Sequence, residues 1–140
     1  MSAIAAPLLI QVALTLVLYV ILVTSRVAQT ATDPEVKKAV LAGSKEKYAR
    51  TPQLIAQNVA NQFELPVLFY AAVAVAIGAN LVTPALVTAA WVFAISRLVH
   101  AAIHCTFNFV PLRAGVFGIG LFAVVFMWWH LGGMMLGGAA

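Results

Sequence analysis

The chain has 140 residues, of which 64% are hydrophobic and only 9% charged, and its mean hydropathy is +1.02. Soluble domains carry about a quarter charged residues, so this composition excludes a water-soluble protein and predicts an all-α integral membrane protein. The net charge of +4 does not indicate nucleic-acid binding, because six of the eight Lys and Arg residues lie between Arg26 and Arg50. A loop beside the membrane would place them against anionic lipid headgroups.

Four apolar segments predict four transmembrane helices in a single membrane domain, because about 20 apolar residues cross the hydrocarbon core. Thr51 and Thr83 each precede a proline. A threonine followed by a proline is typical of a helix start, so we expect the second and third helices to begin at these positions. Pro66 is expected to kink the second helix just past Glu64. The predicted helices cover about residues 3–25, 52–79, 84–109 and 112–135, and a basic loop with room for a short amphipathic helix covers 26–51.

The basic residues also predict the orientation in the membrane. The first connection and its flanks hold six of them, the link before the fourth helix holds Arg113, and the second connection and both termini hold none. The positive-inside rule then places both termini outside and the basic loop in the cytoplasm. We therefore expect a multi-pass protein of the cell (inner) membrane.

Polar residues recur along one face of the second helix and one face of the third. Consecutive membrane helices are antiparallel, so equal depth pairs Glu64 with Arg97 and Asn61 with His100. It also pairs Gln57, or its neighbour Asn58, with His104. We predict a polar ladder with a Glu64–Arg97 ion pair at its deepest point, opening toward the cytoplasm. Such a ladder either packs the helices together or binds a polar ligand, and its length favours a ligand. The members are Gln57, Asn58, Asn61 and Glu64 on the second helix, and Arg97, His100, His104 and Asn108 on the third.

A metal site is the alternative for His100 and His104, because their spacing of four residues suits coordination together with Glu64. Arg97 lies one turn away and would repel a cation. Cys105, the single cysteine, points off the histidine face. We therefore expect no metal.

A longer pattern resembles the MAPEG family, the membrane-associated proteins of eicosanoid and glutathione metabolism, in a bacterial-type form. The resemblance covers nearly the whole chain. It implies a homotrimer of four-helix protomers that binds glutathione as cosubstrate at the subunit interface, from the cytoplasmic side. The pattern is Asn58-Val-Ala-Asn61-Gln-Phe-Glu64-Leu-Pro66, then Arg97-Leu-Val-His100-Ala-Ala-Ile-His104, then Asn108 and Arg113.

The resemblance also implies roles for individual residues. Asn61 and Glu64 would contact the tripeptide, and Arg113 would lower the pKa of its thiol, since a nearby guanidinium favours the nucleophilic thiolate. The candidate ligand-binding residues are Asn58, Asn61, Glu64, Arg97 and Asn108, and the candidate catalytic residues are Arg113, His104 and His100.

The leading hypothesis is a glutathione- or thiol-dependent transferase or peroxidase acting on lipophilic electrophiles that arrive through the bilayer. The alternative is a non-catalytic MAPEG-fold subunit of a larger membrane complex. Two departures from well-studied members favour that alternative. Ala56 and Gln57 stand where those members carry an arginine, and His100 and His104 stand where they carry tyrosines.

Overall fold

The computed structural model describes residues 3–137, which form α-helices and no strand. Four helical stretches are long and apolar enough to cross a membrane: Ala5–Thr32, Arg50–Gly78, Pro84–Cys105 and Val110–Gly137. The chain is therefore an all-α membrane bundle, as predicted. Its helices are α1 (Ala5–Thr32), α2 (Pro34–Leu41), α3 (Arg50–Asn61), α4 (Leu65–Gly78), α5 (Pro84–Cys105) and α6 (Val110–Gly137).

The basic segment is more helical than a loop. α1 continues to Thr32, and Asp33 then caps α2, its carboxylate accepting hydrogen bonds from Glu35 N at 2.9 Å and Val36 N at 3.3 Å. An aspartate at this position satisfies amide groups that a helix start leaves free. α2 buries Val36, while its lysines are exposed. It is the short amphipathic helix for which the sequence left room.

The second membrane span is broken, and the prediction of one kinked helix over 52–79 is wrong in this respect. α3 ends at Asn61, and Glu64 has φ −101° and ψ −102°, outside the helical region. Pro66 lies in the first turn of α4, where its missing N–H leaves no hydrogen bond unmade. Because one helix ends and another begins here, the proline lies in a first turn, where it is tolerated, and not inside a continuous helix.

The link between α5 and α6 begins earlier and is longer than predicted. α5 ends at Cys105 instead of continuing to 109, and α6 begins at Val110. Asn108 has φ 50°, a left-handed conformation that asparagine tolerates better than most residues, and its N–H donates to Ile103 O at 2.8 Å. This turn closes the end of α5.

Two apolar clusters fill the bundle and leave a polar layer between them. One cluster joins α4, the first half of α5 and the second half of α6, with the rings of Phe69 and Phe93 stacked at 4.4 Å. The other joins α1, α3 and the last part of α5 around Ala101. Arg97 on α5 and Gln11 on α1 lie between the two clusters along their helices and are fully buried. The interior therefore has polar groups at mid-depth.

Gly120 lets α6 approach α5 closely. A Cβ atom there would lie 2.6 Å from Ser96 Oγ and 3.7 Å from Phe93 Cδ2. We expect Gly120→Val to destabilise the bundle by about 1–3 kcal/mol through overpacking. The check is the apparent Tm in detergent, compared with Gly118→Val, because a Cβ at Gly118 meets no described atom within 4 Å. Equal losses in the two variants would show that helix propensity, and not the close approach, sets the effect.

Candidate functional site

Three basic side chains of α5 are almost completely buried. Their exposed fractions are 0% for Arg97, 3% for His100 and 2% for His104. The two imidazole rings meet edge to face, with centroids 5.6 Å apart. Phe117 of α6 contacts this group, because its ring centroid lies 5.9 Å from that of His100 and 5.8 Å from Arg97 Cζ. We call Arg97, His100 and His104 the basic cluster.

The basic cluster has donors and acceptors that the described part of the chain does not use. Arg97 Nε and Nη1, His100 Nδ1 and both ring nitrogens of His104 are buried without a hydrogen-bond partner. Buried polar atoms are nearly always paired, because leaving one unpaired costs about 1–3 kcal/mol. The basic cluster can therefore bind a polar ligand. No group of three or more His, Cys, Asp and Glu side chains within residues 3–137 is arranged to hold a metal ion.

Arg97 bonds to the backbone and not to Glu64, so the predicted ion pair is wrong. Its Nη2 donates to Asn61 O at 3.3 Å, and its other two nitrogens have no partner. The break after α3 explains the difference. It ends the helix at Asn61, whose carbonyl then accepts from Arg97, and it leaves Glu64 exposed on the surface of the bundle. Glu64 still lies within electrostatic range of Arg97.

The other predicted rungs also differ from the observed contacts. Asn61 is half-buried and Gln57 is exposed, and neither side chain bonds to a histidine among the described residues. Asn58 is buried, but its Nδ2 donates to Ala101 O at 3.5 Å rather than to His104. The polar residues of the second and third spans do face each other, but their register is shifted from the prediction by about one turn, since Arg97 contacts Asn61 and not Glu64.

A chain of buried amides links α1 to the end of α3 and was not predicted. Gln11 Nε2 on α1 donates to Gln62 Oε1 at 2.8 Å, and Gln62 Nε2 donates to Asn58 Oδ1 at 2.7 Å. All three residues are at least 99% buried. This network fixes the position of the break that follows α3. One signal could have found it: Gln11 is the one amide in the first apolar run, and an amide at membrane depth needs a partner.

Replacing Gln62 tests how strongly this network holds the break. We expect Gln62→Leu to destabilise the protein by about 1–3 kcal/mol, because it leaves Gln11 Nε2 and Asn58 Oδ1 buried without partners. The measurement is the apparent Tm in detergent. Gln11→Leu should cost less when added to Gln62→Leu than when made alone, because the bond that it removes is already lost. Additive losses would show that the two glutamines act independently.

Arg113 and Asn108 lie together at the end of α5. Arg113 is half-buried and its Nη1 donates to Asn108 Oδ1 at 2.6 Å. The guanidinium lies within electrostatic range of both His100 and His104. The hydrogen bond between Arg113 and Asn108 joins the turn at Asn108 to the start of α6. The structure therefore places Arg113 and Asn108 at the end of α5 where the basic cluster begins with His104. The cluster extends from there to Arg97 at mid-depth, beside Asn61 at the break in the second span.

The four-span bundle and its buried polar cluster define an integral membrane protein with a polar site between its helices. The model of the MAPEG family matches residues 4–133. The chain therefore belongs to the MAPEG family, which confirms the resemblance and agrees with a multi-pass membrane protein. No curated protein and no solved structure gives a significant match.

Proposed function

We propose that this chain is a glutathione- or thiol-dependent transferase or peroxidase that acts on lipophilic electrophiles reaching it through the bilayer. The basic cluster is the observation that supports this most. It keeps several buried hydrogen-bonding atoms without protein partners, and glutathione supplies carboxylates, amides and an ammonium group that pair with such atoms. Packing alone would not require them.

Asn61 and Glu64 are proposed to bind the peptide at the break in the second span. Glu64 is exposed within a membrane-spanning stretch, where a carboxylate facing lipid is costly. An ammonium group of the ligand would offset that cost. Asn58 has a different role in this proposal. Both ends of its amide already have protein partners, so it holds α3 against α5 rather than contacting the ligand.

The chemistry assigned to the site is nucleophilic attack by the thiolate. Arg113 favours the charged sulfur, and His104, with two free ring nitrogens, accepts the thiol proton. The sulfur then forms a bond to the electrophilic carbon, and the leaving group departs with the bonding electrons. Arg97 and His100 hold the polar part of the ligand, and Asn108 keeps Arg113 in place.

A homotrimer is part of the same proposal. The exposed carboxylate of Glu64 within a membrane-spanning stretch supports an assembly in which a second copy covers this surface. Crosslinking in native membranes tests it. A species of three chains is expected, and a species of one chain at all crosslinker concentrations would contradict it.

Binding of radiolabelled glutathione to the purified protein in lipid nanodiscs tests the function. We expect saturable binding at millimolar concentration, competed by an S-alkyl glutathione, together with conjugation of an aryl halide. His100→Phe with His104→Phe should remove both, because two apolar rings fill the space without offering ring nitrogens. Absence of binding to the unmodified protein would contradict the proposal. If stoichiometric foreign subunits then copurified, the non-catalytic alternative would be supported.

A further inference from the structure

A groove of about 390 Å³ lies where the last turns of α1 meet α2 and the segment that follows α2. We infer that this groove binds one anionic phospholipid, with the phosphate between Lys37 and Arg26 and an acyl chain along α1. The inference does not depend on the proposed function, because no residue of the basic cluster takes part. The groove is lined by Arg26, Val27, Thr30, Ala31, Lys37 and Tyr48.

The groove lies at the level of the lipid headgroups. Val27 is about 33 Å from Ala5, the first residue of α1, at ~1.5 Å per residue. The hydrocarbon core is about 30 Å thick, so Val27 lies at its edge on the basic side of the bundle. Val20, Val23 and Val27 are all exposed, and their spacings of three and four residues place them on one face of α1. A phospholipid whose phosphate lies in the groove can therefore lay a chain along this apolar face.

The charges that line the groove favour an anion. Arg26 and Lys37 are cations, and no Asp or Glu is among the lining residues in the described part of the chain. Arg26 Nε is buried without a hydrogen-bond partner within residues 3–137, and Lys37 is exposed on α2. A phosphate diester carries one negative charge, and its oxygens would accept charge-assisted hydrogen bonds from both cations. An apolar surface beside two cations suits a phospholipid better than a soluble anion.

Tyr48 fixes the floor of the groove. Its side chain is buried, and the guanidinium of Arg26 lies over its ring, with Cζ 5.2 Å from the centroid. Thr30 Oγ1 donates to Arg26 O at 2.9 Å, so the Tyr48 hydroxyl donates to Thr30 Oγ1 at 3.2 Å. Binding therefore orders little more than the side chain of Lys37. A diffuse attraction between basic residues and headgroups would depend on the number of lysines and not on which lysine is present.

Native mass spectrometry of the detergent-solubilised protein tests this assignment. The protein is titrated with phosphatidylglycerol or with phosphatidylcholine of identical acyl chains, and the first bound lipid is counted. We expect phosphatidylglycerol to bind about tenfold more tightly, because the ammonium group of phosphatidylcholine is repelled by the two cations. In Lys37→Met, this preference should fall to about threefold, with the loss confined to phosphatidylglycerol. An unchanged preference in Lys37→Met would overturn the inference.

Lys38→Met is the matched control, since Lys38 is the next residue of α2, is also exposed and is not among the residues that line the groove. It should keep the full preference. Equal losses in the two lysine variants would overturn the inference, because they would show a diffuse attraction to the net charge. Glycerol 3-phosphate, which has no acyl chain, should not displace the lipid at millimolar concentration. Displacement would show a site for soluble phosphates and would overturn the inference as well.

Discussion

Replacing Arg97 by methionine is expected to weaken glutathione binding about 100-fold, because a fully buried guanidinium that contacts the ligand is worth several kcal/mol to it. Within residues 3–137, two of the three guanidinium nitrogens of Arg97 have no partner, and the third donates to a backbone carbonyl at 3.3 Å. The same change should leave the apparent Tm unchanged or raise it, because removing a poorly paired buried charge relieves its desolvation cost. Equilibrium dialysis and thermal unfolding of the same preparation measure the two effects.

The opposite signs of the two effects separate a binding role from a structural one. If Arg97 served only to pack α5 against α3, methionine would lower the Tm and leave binding nearly unchanged. Arg50→Met is the matched control, since Arg50 is exposed in the first turn of α3 and carries the same charge. It should change neither quantity. A loss of binding below threefold in Arg97→Met would argue against the basic cluster as the ligand site.

The number of spans and the family follow from the sequence, whereas the register and the partners of the polar residues do not. Hydropathy and helical periodicity locate side chains on a cylinder, and they place Arg97 at the level of Glu64, whereas Arg97 contacts Asn61, about one turn away. Periodicity, however, counts side chains only. The group that Arg97 finds is the carbonyl of Asn61, which is available because α3 ends there. A prediction that pairs side chains at equal depth cannot include a hydrogen bond to a backbone carbonyl.

The break itself depends on the tertiary structure. Pro66 predicts a kink in the second span. Because Pro66 lies in the first turn of α4, the break in the helix lies before the proline rather than at it. The break is stabilised by the hydrogen bond between Gln62 and Gln11 of α1, which lie 51 positions apart in the chain. No local pattern links those two glutamines.

Replacing Arg113 by methionine is expected to slow conjugation about tenfold at pH 7 and to shift the alkaline rise in rate upward by about one pH unit. A positive charge beside the sulfur stabilises the thiolate, so removing it raises the pKa of the bound thiol. At neutral pH less thiolate is then present, and the rate recovers as the pH rises. The measurement is the pH dependence of kcat together with the ultraviolet absorbance of bound thiolate.

Two further variants decide whether the charge of Arg113 or its structure is responsible. Arg113→Lys keeps a cation and should keep the pH profile close to its original position. Asn108→Gly removes the amide that accepts the 2.6 Å hydrogen bond from Arg113, and glycine tolerates the φ of 50° at that position. Without this hydrogen bond the guanidinium of Arg113 is less well positioned beside the sulfur. The pH profile should therefore shift in the same direction as in Arg113→Met, by a smaller amount. A uniform loss of rate at every pH in Arg113→Met would assign the residue to packing, since only loss of the charge makes the deficit depend on pH.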